Sequence, residues 1–118
     1  MANIMVVDDE APMRTVLRRF FEAAEHKVLE APNGAQALAE LQNETIDVAF
    51  VDMAMPVMDG LGLLRRMRER FPEVHVVAMS RAAEVLDLPQ REMKIVGVLE
   101  KPFTRDEALE ALAAALSE

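Results

Sequence analysis

Apolar residues in this chain fall into two rhythms. Short runs rich in β-branched residues lie at 4–7, 28–29, 48–51, 74–79 and 95–99. Three of them are near-continuous, as expected of strands buried on both faces of a parallel sheet. Between them lie longer segments with a period close to that of a helix. The first covers 12–24, with Val16, Leu17, Phe20 and Phe21 on one stripe and Pro12 in its opening turn. The second covers 33–41, opened by Asn33 or Gly34, with Ala37, Leu38 and Leu41 facing inward. The third covers 61–70 and stops before Pro72. A fourth, at 82–90, is the weakest because Pro89 interrupts it. The last begins at Thr104, with Glu107 three residues on as a capping box, and continues to Leu116.

Five strands alternating with five helices predict a doubly wound α/β sandwich in three layers, a five-stranded parallel sheet with helices on both faces. The pattern does not fix the strand order; 2-1-3-4-5 is one of the two common choices. The length, 118 residues, fits one domain spanning 1–118.

Composition narrows the function. The net charge is −8, from 13 basic and 21 acidic residues, a poor match to nucleic acid. Aromatic residues are 4%, with no Trp or Tyr, which argues against stacking on bases. There is no cysteine, so no disulfide or thiolate metal site forms. No apolar stretch is long enough to span a bilayer. The apolar start Met1-Ala2-Asn3-Ile4-Met5-Val6-Val7 lacks the basic flank and cleavage site of a signal peptide. These features fit a cytoplasmic chain with no membrane or direct nucleic-acid partner.

The informative polar residues fall where the apolar runs end. Ile4-Met5-Val6-Val7 ends in Asp8-Asp9, and Val48-Ala49-Phe50-Val51 ends in Asp52. Val76-Val77-Ala78-Met79 ends in Ser80, and Val96-Gly97-Val98-Leu99 ends in Glu100-Lys101-Pro102. In a parallel sheet all strand C-termini share one rim, where ligands bind. Crowded carboxylates take up protons or recruit a cation. An all-oxygen set without His or Cys selects a hard ion, Mg²⁺ or Mn²⁺. Lys101 is out of place as a metal ligand but suits a phosphoryl oxygen, and Ser80 can donate to another. A carboxylate beside the metal is then a candidate nucleophile for an aspartyl phosphate. Singly, each residue reads as a turn, a helix cap or a solvated charge. Together they require coincidence at four strand ends.

These residues resemble the receiver domain of two-component response regulators, the CheY-like family, over nearly the whole chain. The resemblance rests on Asp8-Asp9, on Asp52-Met53-Ala54-Met55-Pro56-Val57-Met58-Asp59-Gly60, on Ser80, on Lys101-Pro102-Phe103 and on Ala31-Pro32-Asn33-Gly34-Ala35-Gln36-Ala37-Leu38. It implies a flavodoxin-like sheet of order 2-1-3-4-5. It implies that Asp52 is the phosphoacceptor, with Lys101 and Ser80 contacting the phosphoryl group. Asp9, Asp52 and the backbone carbonyl of Ala54 would hold Mg²⁺, with Asp8 helping through water. The Lys101–Pro102 peptide is expected to be cis. The donor would be a sensor histidine kinase or a phosphotransfer protein, and slow self-hydrolysis would reset the switch. Such a domain is not a turnover enzyme.

The chain departs from the family in places. Where an aromatic residue often stands, three positions before the lysine, it has Val98. A switch at Ser80 and Val98 would then run through backbone shifts. The residue after the hydroxyl, usually small, is Arg81; a basic side chain there could contact the phosphoryl group, shield it or point to water, and the last is the reading preferred. The positions that tune hydrolysis are Ala54 and Ala82, neither able to position water.

Met13, Val16, Leu17 and Pro56 are the expected docking patch for the donor. Met53 and Met79 are expected in the core; Met13, Met55 and Met58 are expected partly exposed near the rim. His26 and His75, at strand starts on the opposite rim, read as surface residues. The fourth helix, last strand and Ala-rich last helix are the expected output face, in a monomer or a phosphorylation-dependent dimer. A metal-dependent phosphatase is disfavoured by the absence of room for a lid. A degenerate receiver acting unphosphorylated is disfavoured by the complete set of site residues. A free-standing regulator and the front piece of a longer one both fit, and the start at Met1 disfavours the receiver of a hybrid kinase.

Overall fold

The computed structural model describes residues 1–55, 60–81 and 91–118. The predicted fourth helix, with Ala82, and the predicted positions Pro56 and Met58 lie outside them. In chain order the elements are β1 (Asn3–Val7), α1 (Ala11–Ala23), β2 (Lys27–Ala31), α2 (Gly34–Asn43), β3 (Val48–Asp52), α3 (Gly60–Arg70), β4 (His75–Arg81), β5 (Ile95–Lys101) and α4 (Arg105–Leu116). All strand pairs are parallel, in the order β2-β1-β3-β4-β5. The flavodoxin-like order is therefore the one adopted.

Alternation along each strand divides the core in two. Ile4, Val6, Val48, Phe50, Val77, Met79 and Leu99 pack with Leu17 and Phe21 of α1 and with Ala108, Leu112 and Ala115 of α4. Met5, Val7, Ala49, Val51, Val76 and Ala78 face the other way, onto Ala37, Leu38 and Leu41 of α2 and Leu63, Leu64 and Met67 of α3. Burial on both faces is why β1, β3 and β4 read as unbroken apolar runs. The Phe21 and Phe50 rings meet at 4.8 Å, tilted by 43°. Each fully buried large side chain of this kind contributes roughly 1.5–3 kcal/mol.

Local chemistry fixes the helix starts. Asn33 caps α2, its side chain accepting from the Gln36 N–H at 2.9 Å. Thr104 and Glu107 form the predicted capping box of α4, at 3.1 and 2.8 Å. Strand β2 is longer than the apolar pair Val28–Leu29 suggests. It lies at the sheet edge, so Lys27 and Glu30 take part in pairing while their side chains reach the surface.

Several side chains differ from expectation. Leu17 is fully buried under α1 and leaves the docking patch, whereas Val16 on the same helix is exposed. Met55 is buried rather than exposed at the rim. Met53 is only half-buried against the α2–α3 core, while Met79 is fully buried as expected. Both histidines are half-buried and tie chain ends down. His26 Nδ1 accepts from the Ala2 N–H at 2.9 Å, and His75 Nδ1 lies 2.9 Å from the Ala115 carbonyl oxygen.

Gly60 brings α3 hard against the end of β3. A Cβ there would stand 2.5 Å from Met53 Cα and 2.6 Å from the Asp52 carbonyl oxygen. Both obstacles are backbone, so the loop carrying Asp52 would have to move. Gly60→Ala should destabilise the protein by about 2 kcal/mol or more in urea unfolding. A change within about 0.5 kcal/mol would show that the contact does not constrain the loop.

Candidate functional site at the strand ends

Strands β1, β3, β4 and β5 deliver their last residues to one rim. Asp9, Glu10, Asp52, Ala54, Ser80, Arg81 and Lys101 line a single open cleft of about 330 Å³ there. Asp8 lies behind this surface and is fully buried. Lys101 bridges the acids at the ends of β1 and β3. Its Nζ donates to Asp8 Oδ2 at 2.9 Å and lies 3.5 Å from Asp52 Oδ2. The Lys101–Pro102 peptide is cis.

The acidic turn is held from behind. Asp8 donates its N–H to the Ala31 carbonyl at 3.2 Å, and its Oδ1 accepts from the Glu10 N–H at 2.9 Å. Arg14 Nη1 donates to the Asp8 carbonyl at 2.7 Å while its Nε pairs with Glu30 at 3.2 Å. Asp52 Oδ1 accepts from the Ala54 N–H at 3.0 Å, which folds the following loop back over the strand end. Ser80 Oγ is buried and has no hydrogen-bond partner among the described residues. A buried hydroxyl in that state calls for a ligand group or water.

Electrostatics follow from this crowding. Burial pushes the Asp52 carboxyl above the usual range, and the charges of Asp8 and Asp9 add to it; the Ala54 N–H and Lys101 work against the rise without cancelling it. For Lys101, burial pulls the ammonium down, but its hydrogen bond to Asp8 and the charges of Asp8, Asp52 and Glu10 outweigh that and hold it raised. Carboxylate oxygens of Asp8, Asp9 and Glu10 lie within 4.8 Å of one another. This all-oxygen cluster, beside a second acid in an open cleft, has the donor chemistry of a hard divalent ion. Glu10 is absent from the predicted ligands, although a third consecutive acid after β1 was a readable signal.

The remaining predicted residues separate into groups. Val98 does not line the cleft; it packs half-buried against the α2–α3 core. Met13 and Val16 border an apolar recess of about 230 Å³ beside the cleft, completed by Glu10, Pro12, Pro102 and Phe103. Phe103 was not foreseen there, since its position depends on the turn after β5. Arg81 is exposed as expected but stands over the cleft rather than away from it.

A parallel α/β sheet whose rim gathers carboxylates, a hydroxyl and an ammonium defines a doubly wound domain with its site at the strand C-termini. A model of the response regulator receiver domain matches residues 4–113. Sporulation initiation phosphotransferase F of Bacillus subtilis (strain 168) is 36% identical over 113 residues, covering 93% of this chain and 90% of that protein. The DNA-binding transcriptional regulator NtrC of Escherichia coli (strain K12) is 34% identical over 115 residues; the match takes in 97% of this chain but only 24% of NtrC. The structure of chemotaxis response regulator CheY4 of Vibrio cholerae superimposes with a TM-score of 0.90 at 25% identity, covering 98% of each chain. The chain belongs to the response regulator receiver domain family.

Because the folded state holds the Asp52 proton more tightly than the unfolded chain does, ionised Asp52 opposes folding at neutral pH. The opposition is full above the folded pKa and vanishes below the unfolded value of about 3.9. Asp52→Asn, which keeps an acceptor for the Ala54 N–H, should therefore raise the melting temperature at pH 7 in EDTA by about 3 °C. The gain should fade as pH falls through the raised folded pKa and be gone below about 4. A lower melting temperature at pH 7 would show that the carboxylate is a net stabilising group.

Proposed function

We propose that this domain accepts a phosphoryl group on Asp52 and uses it to switch its contacts with other proteins in a two-component system. The observation that carries the reading is the Lys101 ammonium set between buried Asp8 and Asp52, at the floor of a cleft also lined by Ser80, whose hydroxyl has no partner among the described residues. A carboxylate with raised proton affinity is poorly solvated and basic, which suits a nucleophile. Lys101 is placed to balance charge on a phosphoryl oxygen, and Ser80 Oγ has a hydrogen to give to another.

Asp9, Asp52 and the Ala54 carbonyl would hold Mg²⁺, with Asp8 and Glu10 completing the negative surround. When bound, the ion supplies charge neutralisation at the phosphoryl oxygens. Asp52 attacks phosphorus, and water later removes the group to restore the carboxylate. Ala54 has no side-chain donor or acceptor to direct that water. A histidine kinase or phosphotransfer protein is the proposed donor, docking across Met13 and Val16 beside the cleft. Val98 and α4 belong to the proposed output surface. Among the described residues no helix is long and apolar enough to cross a membrane.

Acetyl phosphate with Mg²⁺ should add one phosphoryl group to the wild type by mass spectrometry, and none to Asp52→Asn. Lys101→Ala should label at least roughly ten-fold more slowly. Labelling retained in the Asn variant would remove Asp52 as acceptor, and an unlabelled wild type would favour an interaction module that works without phosphorylation. Mg²⁺ alone should raise the melting temperature of the wild type more than that of Asp9→Asn, because only an ion that binds the folded state stabilises it. Equal rises would take Asp9 out of the ligand set.

A further inference from the structure

Arg81 occupies a position where its charge bears on the chemistry. The ends of β4 and β5 pair in register, Ala78 with Val98, Met79 with Leu99, Ser80 with Glu100 and Arg81 with Lys101. Paired residues of a parallel sheet project to the same face, and successive residues alternate. Met79 and Leu99 lie in the α1–α4 core, while Ala78 and Val98 lie on the α2–α3 side. Arg81 and Lys101 therefore leave the sheet on the α1–α4 side. Asp52, two residues beyond Phe50, and Asp8, two beyond Val6, share that side. Lys101 sits deep, its side chain 14% exposed and committed to Asp8. Arg81 is exposed and lines the same cleft. The cleft thus has one cation at its floor and a second at its mouth.

We propose that Arg81 is a second phosphoryl-binding cation, its guanidinium contacting phosphoryl oxygens during transfer to and from Asp52. The inference rests on the reading of Asp52 as the acceptor. A planar guanidinium offers two parallel N–H groups to two oxygens of one phosphoryl group, which a lysine cannot do. In phosphoryl transfer the charge spreads over three equatorial oxygens, so an added cation lowers the barrier in both directions. In phosphorylation, an Asp52 oxygen attacks the phosphorus of acetyl phosphate and the bond to acetate breaks. Acetate leaves with the electron pair. In hydrolysis, water attacks the same phosphorus and the bond to Asp52 breaks, restoring the carboxylate. Hydrogen phosphate departs with one proton of the water, and the other passes to solvent.

Arg81→Ala and Arg81→Lys separate this role from simple obstruction of the cleft. The Ala variant should label from acetyl phosphate with Mg²⁺, and lose its phosphoryl group, each roughly ten-fold more slowly than wild type. That is less than the hundred-fold or more of an enclosed donor, because Arg81 is exposed. Inorganic phosphate, titrated without metal and followed by ³¹P line width, should bind the Ala variant at least about three-fold more weakly. The Lys variant should recover phosphate binding but not the transfer rate. Unchanged or faster transfer in the Ala variant overturns the proposal and marks Arg81 as a shield or a bystander. A wild type that does not label overturns the Asp52 reading itself, whereas a wild type that labels alongside an unaffected Ala variant overturns Arg81 alone.

Discussion

Lys101 has to reach across the end of a sheet to meet acids on two other strands. Neighbouring strands lie about 4.8 Å apart, and β5 is separated from β1 by β3 and β4. Only a long, flexible cation spans that distance. Its ammonium makes the 2.9 Å contact that neutralises Asp8, a carboxylate with no exposure to water. Removing one partner of such a pair leaves the other buried and uncompensated, which costs far more than the pair itself contributes. The strand order and the turn after β5 bring the lysine to Asp8, and the burial of Asp8 is balanced by it.

One ammonium does not balance the whole rim. Asp52, Asp9 and Glu10 remain, and burial, with the charges of Asp8 and Asp9 added to it, keeps the proton affinity of Asp52 raised. A domain this size has only a modest margin of stability, so part of it is spent on keeping acids together. Arg14, itself paired with Glu30, limits the damage by gripping the backbone of the acidic turn rather than its side chains. The carboxylates stay aimed at the cleft, still short of positive charge. Strained or frustrated electrostatics of this kind mark functional sites more often than structural ones.

The strand ends were the legible part of the sequence. Runs buried on both faces identify β1, β3 and β4 without ambiguity, and the polar residue that stops each run marks the rim. That is why Asp8, Asp9, Asp52, Ser80 and Lys101 could be grouped before any coordinates. What the pattern could not resolve lay in rotation and in turns. Val16 and Leu17 are adjacent on a helix, and only the crossing of α1 over the sheet decides that one is exposed and the other buried. Met55 joins the α2–α3 core from a loop whose course the apolar pattern does not reveal. His26 and His75 carry no apolar signal, yet their ring nitrogens meet backbone groups from distant segments. Arg81 is exposed, as its residue type suggests; that it also lines the cleft fits its register with Lys101, which residue type does not reveal.

The alternation that splits the core also sorts the rim. Asp8, Asp52, Arg81 and Lys101 leave the sheet toward α1 and α4; Ser80 continues the face that carries Ala78 and Val98, toward α2 and α3. The sheet is thus a partition, with these charged residues on one side and the hydroxyl and its apolar neighbours on the other. Ser80, buried yet among the residues that line the cleft, stands between the two compartments. Substitutions in the α2–α3 layer can alter the surroundings of Ser80 without disturbing the charged residues across the sheet, so the two halves of the domain are free to diversify at different rates.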